Sequence, residues 1–358
     1  MQNGVFQTGN PRWSAVFSLF MGVMALIAAE FIPVSLLTPI ARDLAVTEGM
    51  AGQTVTAVGV FAVLTSLLLA PLTGNIDRRR ILLAFSAMLA ASYMLIGIAP
   101  TYPIMLIGRA ILGICVGGFW SLASAVTLQL VPTKDVPRAL SIVYAGVSVA
   151  TIIALPVASW IGHLIGWRNV FFLGALMAAI GFVWQYRALP SLPARAGSGF
   201  RDMSALLRRT WILAGIGGNI LSFGGYHIFF TYLRPFLELD LALGANTLSV
   251  ILLVFGVANV LGTFIAGALL GNHFRSTMIL VHLAFTAAAL ALLLSQGHAD
   301  IGIALAVFWG FAFGFTPVGW STWIARTLSD KAELAGGLTV AATQFAIGLA
   351  AAVGGFTY

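Results

Sequence analysis

Charge is scarce in this 358-residue chain. Asp, Glu, Lys and Arg make up 8 % of it, against 60 % hydrophobic residues. Soluble domains average about 25 % charged and about 45–50 % apolar. So few charges cannot cover a water-exposed surface. A soluble globular fold, a disordered chain and a coiled coil are all excluded. Cysteine is nearly absent too. Cys115 stands alone in an apolar run, so there is no disulfide framework and no thiolate metal site. The sequence also lacks a phosphate-cradling Gly-rich loop with Lys-Ser/Thr, which argues against an ATP-driven pump. It has no His/Asp/Glu cluster at metal spacing and no selectivity-filter-like string. No cofactor and no metal are expected, and nothing points to an enzyme.

Long apolar runs are abundant. A helical span needs ~20 mostly apolar residues. Eleven candidates read as spans: 13–40, 51–73, 81–99, 103–130, 139–163, 170–189, 211–234, 247–270, 276–296, 301–325 and 335–358. An outer-membrane barrel would show ~10-residue alternating segments instead. The expected class is an all-α polytopic membrane protein. Connections are short except at 187–210, which holds Pro190, Pro193, Gly197, Gly199 and five arginines. This reads as a polar linker between an N-terminal six-helix bundle, 1–186, and a C-terminal bundle, 211–358.

The formal net charge of +7 fits the positive-inside rule better than nucleic-acid binding. With the N-terminus in the cytoplasm, cytoplasmic segments carry Arg12, Arg78, Arg79, Arg80, Lys134, Arg138, Arg187, Arg195, Arg201, Arg208, Arg209, Arg275, Arg326 and Lys331. The opposite side carries only Arg42, Arg168 and Arg234, while the loop carboxylates divide evenly. An inner-membrane, multi-pass protein with a cytoplasmic N-terminus is expected. The first run is too long for a signal-peptide core and lacks an A-x-A site, so it should remain as a span. The end, Gly354-Gly355-Phe356-Thr357-Tyr358, has no flanking charge. It reads as a chain cut short before a twelfth span.

Weak self-similarity crosses the linker. Gly74-Asn75 with Arg78 recurs as Gly271-Asn272 with Arg275, and Trp120-Ser121 recurs as Trp320-Ser321. Parallel repeats of this kind place a transporter's substrate site near the midplane between its halves.

Two charges fall inside spans. Glu30 is the only carboxylate there. An ionised side chain at a helix centre costs roughly 2.5–3.5 kcal/mol on insertion scales. A carboxyl held in apolar surroundings is suited to gaining and losing a proton. The alternative is a permanently hydrogen-bonded Glu that pins helices together. Arg109 lies about two turns into its span, followed by Gly113, Gly117 and Gly118. It is a candidate partner for Glu30 or for an anion; the competing reading is snorkelling to the interface. The glycines allow another helix to approach closely.

Other positions are weaker candidates. In Gly74-Asn75-Ile76-Asp77-Arg78-Arg79-Arg80, the three arginines alone are topology signals, but Gly-x-x-Asp-Arg is more specific. Asp77 is placed to cap the next helix, and the segment is a candidate cytoplasmic latch. Gly146, Ala150, Ala154, Pro156, Ala158 and Gly162 form a small-residue face that suits a gate or ordinary packing equally. Polar and aromatic residues that could face a cavity are Trp120, Gln129, Tyr144, Asn219, Tyr226, His227, Asn259, Trp320, Trp323, Thr343 and Gln344. His227 is the best second proton carrier among them. Hydrogen-bond donors beside aromatic faces suit a flat polar ring such as a nucleobase, and also many drugs.

These features together resemble the major facilitator superfamily, in its drug:proton antiporter branch. The Gly74–Arg80 segment resembles that superfamily's motif A, Arg109 with Gly113 and Gly117 its motif B, and the Gly146–Gly162 face its motif C. Further strings are similar to bacterial purine-ribonucleoside efflux permeases. They are Trp13-Ser-Ala-Val-Phe17, Glu30-Phe-Ile-Pro-Val-Ser-Leu-Leu-Thr38, Ile107-Gly-Arg109 with Gly117-Gly-Phe-Trp120, Gly166-Trp-Arg-Asn-Val-Phe171, Phe230-Thr-Tyr-Leu-Arg-Pro235 and Pro317-Val-Gly-Trp-Ser-Thr-Trp323.

The resemblance implies two six-helix bundles with pseudo-two-fold symmetry and proton-driven export of purine nucleosides such as inosine and guanosine. It gives proton coupling to Glu30 and Arg109 and gating to Asp77 and Arg78. The chain departs from the pattern where Arg79-Arg80 directly follow Asp-Arg, and where Ala154 and Ala158 replace glycine. Expected partners are a nucleoside-like small molecule, protons and the lipid bilayer, with no nucleic acid; a monomer is expected. Two other readings are efflux of sugars or hydrophobic drugs by the same mechanism, and a non-transporting scaffold or receptor.

Overall fold

The computed structural model describes residues 11–193, 199–237, 241, 243, 245–294 and 298–357. Among these the chain is helical throughout, with α1 (Trp13–Ser35), α2 (Leu37–Asp43), α3 (Glu48–Thr73), α4 (Arg78–Ile98), α5 (Tyr102–Leu130), α6 (Val136–Ile165) and α7 (Trp167–Ala188). A short α8 (Phe200–Leu207) follows. Then come α9 (Thr210–Pro235), α10 (Ala245–Asn272), α11 (Phe274–Leu294), α12 (Ala299–Phe313), α13 (Phe315–Thr327) and α14 (Ala332–Thr357). Ten segments among the described residues are long and apolar enough to cross a membrane, one of them running through both α12 and α13. The remaining expected span, 335–358, corresponds to α14, whose side chains from residue 351 onward are outside the described set.

Two expected spans are not single helices. The first stops at Ser35 rather than residue 40. Pro33 interrupts its last turn, which closes with the Leu36 N–H donating to the Pro33 carbonyl at 3.2 Å. Proline lacks the N–H that would continue the ladder. The span at 301–325 breaks at Gly314, whose N–H turns back to Phe311 O at 3.2 Å. Here α10 presses its backbone against the break. A methyl at Gly314 would collide with the Thr263 amide and the Asn259 carbonyl. The linker at 187–210 is likewise not wholly irregular, since α8 lies within it and Leu206 is buried against Ile212, Ile324 and Leu328.

α1 packs along α6, α3 along α5, and α4 along α7. In the second set of helices α9 lies against α14, and α10 against α12. Contacts between the sets run chiefly through α6 with α10, and through α14 with α3 and α5. One large core fills the first set and takes in Ala266, Leu270, Phe315 and Val318 from the second. A smaller core gathers Ala70, Ala125, Ile324, Leu334 and Leu338 where the sets meet near the linker. Many apolar side chains point outward, among them Leu221 at 78 % exposure and Leu294 at 87 %. Such a surface suits lipid rather than water.

Candidate functional site

The geometry begins at the linker face. α3 ends at Gly74, whose φ of +46° is open to glycine at no steric cost. Asp77 then starts α4 as its N-cap. Its carboxylate accepts from the Arg79 amide at 2.8 Å and from the Leu192 amide at 2.9 Å, and also from the Ser191 hydroxyl. Partial burial opposes ionisation of Asp77, but these three donors and the Arg80 charge outweigh it and hold the carboxyl below its ordinary value. Arg79 donates to Tyr186 O at 2.7 Å and lies over the Tyr186 ring. Motif A is thereby fastened to the start of the linker.

Arg78 points the other way, into the contact between the two sets. It is fully buried. Its Nε donates to Glu333 Oε1 at 2.8 Å, its Nη2 donates to Glu333 Oε2, and its Nη1 donates to Ile76 O at 2.6 Å. Glu333, in the first turn of α14, is 5 % exposed. This is a two-pronged guanidinium–carboxylate pair, the geometry that fits arginine and not lysine. Just beyond it a methyl at Gly336 or Gly337 would collide with the Ser121 or Ser66 carbonyl. Glycines there let α14 lie directly on α5 and α3. Lys331, just before α14, pairs with Asp202 of α8 at 3.0 Å. That hydrogen bond holds the Asp202 carboxyl below its ordinary value.

The ties between the sets continue into the bilayer region. Trp120 of α5 stacks on Tyr144 of α6, with centroids 4.8 Å apart and planes at 16°. The Tyr144 hydroxyl meets the Ser321 hydroxyl of α13 at 2.7 Å, and Ser124 donates to Ser321 O at 3.3 Å. Farther from the linker, Ser148 of α6 donates to Asn259 Oδ1 of α10, and Asn259 Nδ2 donates to Gly310 O at 3.0 Å. Asn259 is thus a three-helix tie rather than a free polar head. Gln344 of α14 lies near Gly59 of α3.

Glu30 and Arg109 come together inside the first set. Arg109 is fully buried. Its guanidinium donates to three backbone carbonyls: Thr54 at 3.0 Å, Ala29 at 2.6 Å and Glu30 at 3.2 Å. It does not snorkel. Gly113 and Gly117, one and two turns on, let α5 lie against the α3 backbone at Val58 and Ala62. The Glu30 carboxylate is part-buried and lies within electrostatic reach of the Arg109 charge.

The remaining candidates divide. Gly146 packs on the α1 backbone at Phe20 and Gly162 on Leu36, so this face of α6 closes on α1 in its own set. Ala150 is buried in the same core; the Pro156 side chain is outside the described residues. His227 sits on α9 within a ring of Phe223, Tyr226, Phe230 and Phe313, with Nδ1 against Phe223 O at 2.8 Å. It belongs to the second set, whereas Glu30 belongs to the first. Tyr226 stacks on Phe313. Asn219 accepts from Thr343 at 3.0 Å, and its buried Nδ2 has no partner among the described residues. The Nε2 of Gln129 likewise has no partner among the described residues. Trp323 lies edge-on to Trp211 and to Trp320.

Long apolar helices in two interlocked sets, with a buried ion pair between them and a buried Arg–Glu neighbourhood inside one, define a membrane transporter rather than an enzyme. Residues 16–355 match the family model of the Major Facilitator Superfamily, and the chain belongs to that family. Over 346 residues it is 40 % identical to the purine ribonucleoside efflux pump NepI of Salmonella typhimurium (strain LT2), covering 97 % of this chain and 87 % of the relative. The pump of the same name from Salmonella enteritidis PT4 shows the same identity and coverage. The fold is similar to that of the proton:xylose symporter XylE, with a TM-score of 0.75 at 14 % identity, covering 95 % of this chain and 87 % of that one. It is also similar to the human organic anion transporter MFSD10, with a TM-score of 0.74 at 17 % identity, covering 97 % and 94 %.

Proposed function

We propose that this protein is a proton-coupled antiporter that exports purine ribonucleosides from the cytoplasm by alternating access. The observation that carries the reading is Glu30 beside the buried Arg109, in a chain with the stated identity to nucleoside efflux pumps. Glu30 takes a proton from outside and releases it inside as the two sets rock. Residues 1–186 and 211–358 move as the two bodies, joined by the linker at 187–210. By the charge count the linker face is cytoplasmic. The Arg78–Glu333 pair and the Gly336–Gly337 contact then close that face, as in an outward-facing state. Asp77, Arg78, Arg79 and Arg80 form its gate, and Gly74 shapes the turn.

The nucleoside binds between the sets among Trp120, Tyr144, Asn219, Tyr226, Trp320, Trp323 and Gln344, where indole and phenol faces suit a purine ring and amides suit its edge. The protein works as a monomer in the inner membrane. Exchange of one proton for a neutral nucleoside moves one charge, and 100 mV contributes about 2.3 kcal/mol. That sustains a gradient of roughly 40–50-fold before any pH difference. The test is transport in proteoliposomes. Labelled inosine should move against an imposed proton gradient, whereas labelled xylose and a hydrophobic cation should not. Inosine flux that ignores the gradient would contradict the coupling, and preference for either control would contradict the substrate class.

A further inference from the structure

A cavity of about 590 Å³ lies between α9 and α11, walled by Tyr226, Phe285, Trp309 and Trp320. Ser222 and His282 face it. Four short contacts link these two side chains to their surroundings. Trp320 Nε1 donates to Ser222 Oγ at 3.2 Å. Ser222 Oγ lies 2.6 Å from Gly218 O and 2.7 Å from His282 Nε2. His282 Nδ1 lies 2.7 Å from Met278 O.

Each contact needs one hydrogen. The two carbonyls only accept, so the Ser222 hydrogen goes to Gly218 O and an Nδ1 hydrogen goes to Met278 O. The contact between Ser222 Oγ and His282 Nε2 then has a hydrogen only if Nε2 carries it. The indole supplies the fourth. A neutral imidazole leaves the network one hydrogen short, with two oxygens facing each other at Gly218. An imidazolium satisfies all four contacts.

We propose that His282 is a proton-binding site in the second helix set, separate from Glu30, and that its proton sets the direction of the Ser222 hydroxyl and places a charge beside the Trp320 indole, whose ring centroid lies 6.4 Å from that of His282. Loss of the Nε2 proton to water turns the Ser222 hydroxyl from Gly218 O to Nε2. The Ser222–Gly218 hydrogen bond is thereby lost and the Ser222–His282 bond reversed at the junction of α9, α11 and α13. The groups facing His282 permit this. α9 presents Tyr226, α12 presents Trp309, α13 presents Trp320, and α10 carries no charged residue. No carboxylate among the described residues lines the cavity. Arg275 lies at the start of α11, and Arg326 is bound to the Leu270 and Gly271 carbonyls.

The test uses the whole chain in lipid nanodiscs with nitrogen-15-labelled histidine. His282 is assigned by its loss in His282→Asn and followed from about pH 5 to about pH 8. The wild type should show both ring nitrogens protonated at the acid end. Ser222→Ala should remove the hydrogen-bond signature of the His282 Nε2 at the acid end, and Ser222→Thr should restore it. Tryptophan emission should change with the same midpoint and lose that change in Trp320→Phe, a readout that does not depend on Ser222→Ala folding. A single neutral tautomer throughout, an Nε2 hydrogen-bond signature that Ser222→Ala leaves in place, or emission that does not follow His282 would overturn the proposal.

Discussion

Arg78 and Glu333, 255 residues apart in sequence, form a buried two-pronged ion pair that joins the start of α4 to the start of α14. Removing one partner of such a pair costs about 3–5 kcal/mol, because the other charge stays buried and unpaired. Glu333→Gln should therefore shift the protein strongly toward opening at the linker face. In a Cys115→Ser background, a cysteine placed at the buried Ala125 reports this. Its reaction with a water-soluble maleimide should rise at least tenfold with Glu333→Gln. An unchanged rate would show that the pair does not hold this face closed.

Arg109 serves three backbone carbonyls on α1 and α3. A lysine keeps the charge but lacks the planar fork. Each lost charge-assisted bond is worth about 1.5–3 kcal/mol. Arg109→Lys should lower the thermal unfolding midpoint and reduce transport to below a tenth of wild type. Wild-type stability in Arg109→Lys would mean that the three bonds matter little.

Asp77 gives a pH dependence of stated sign. Its folded value lies below the ordinary 3.8. The stabilisation from Ser191, Leu192, Arg79 and Arg80 is therefore complete above the ordinary value. It is lost as pH falls through the lower folded value. Asp77→Asn should reduce the unfolding midpoint at neutral pH, and its difference from wild type should shrink as pH falls below 3.8. A difference that persists undiminished in acid would point to a role other than the carboxylate's charge.

The Trp120–Tyr144 stack separates two contributions. Base–aromatic stacking is worth about 1–3 kcal/mol. Trp120→Leu should weaken inosine binding about tenfold or more by calorimetry. Tyr144→Phe keeps the stack and loses only the hydroxyl contact to Ser321. It should change affinity by less than about fivefold, in keeping with a net hydrogen-bond worth of about 1 kcal/mol. The reverse order would move the substrate contact from the indole to the hydroxyl.

The spans were legible in the sequence because a helix in lipid must satisfy its own backbone, which forces long apolar runs. Breaks at Leu36 and Gly314 were less legible. A proline near a helix end and a glycine within a span are both ordinary, and only contact with α10 explains the second. Glu30 and Arg109 stood out because charge in a span is rare, and the fold does bring them together. Glu333 was missed because a carboxylate at a span's edge looks like any loop charge. Its signal was present in Gly336-Gly337, which begin three residues after it and mark close helix contact. Ser321, Ser222 and His282 gave no comparable signal, since their partners lie on helices far away in sequence. The small face of α6 read equally as a gate or as ordinary packing, and which helix it meets was not readable.

The most direct test of the central claim separates exchange from proton-driven transport in Glu30→Gln. In proteoliposomes the variant should still exchange labelled for unlabelled inosine at a rate near wild type. It should fail to accumulate inosine when a proton gradient is imposed. If Glu30→Gln accumulates inosine as well as the wild type does, Glu30 is not the coupling residue and the proposed mechanism is wrong.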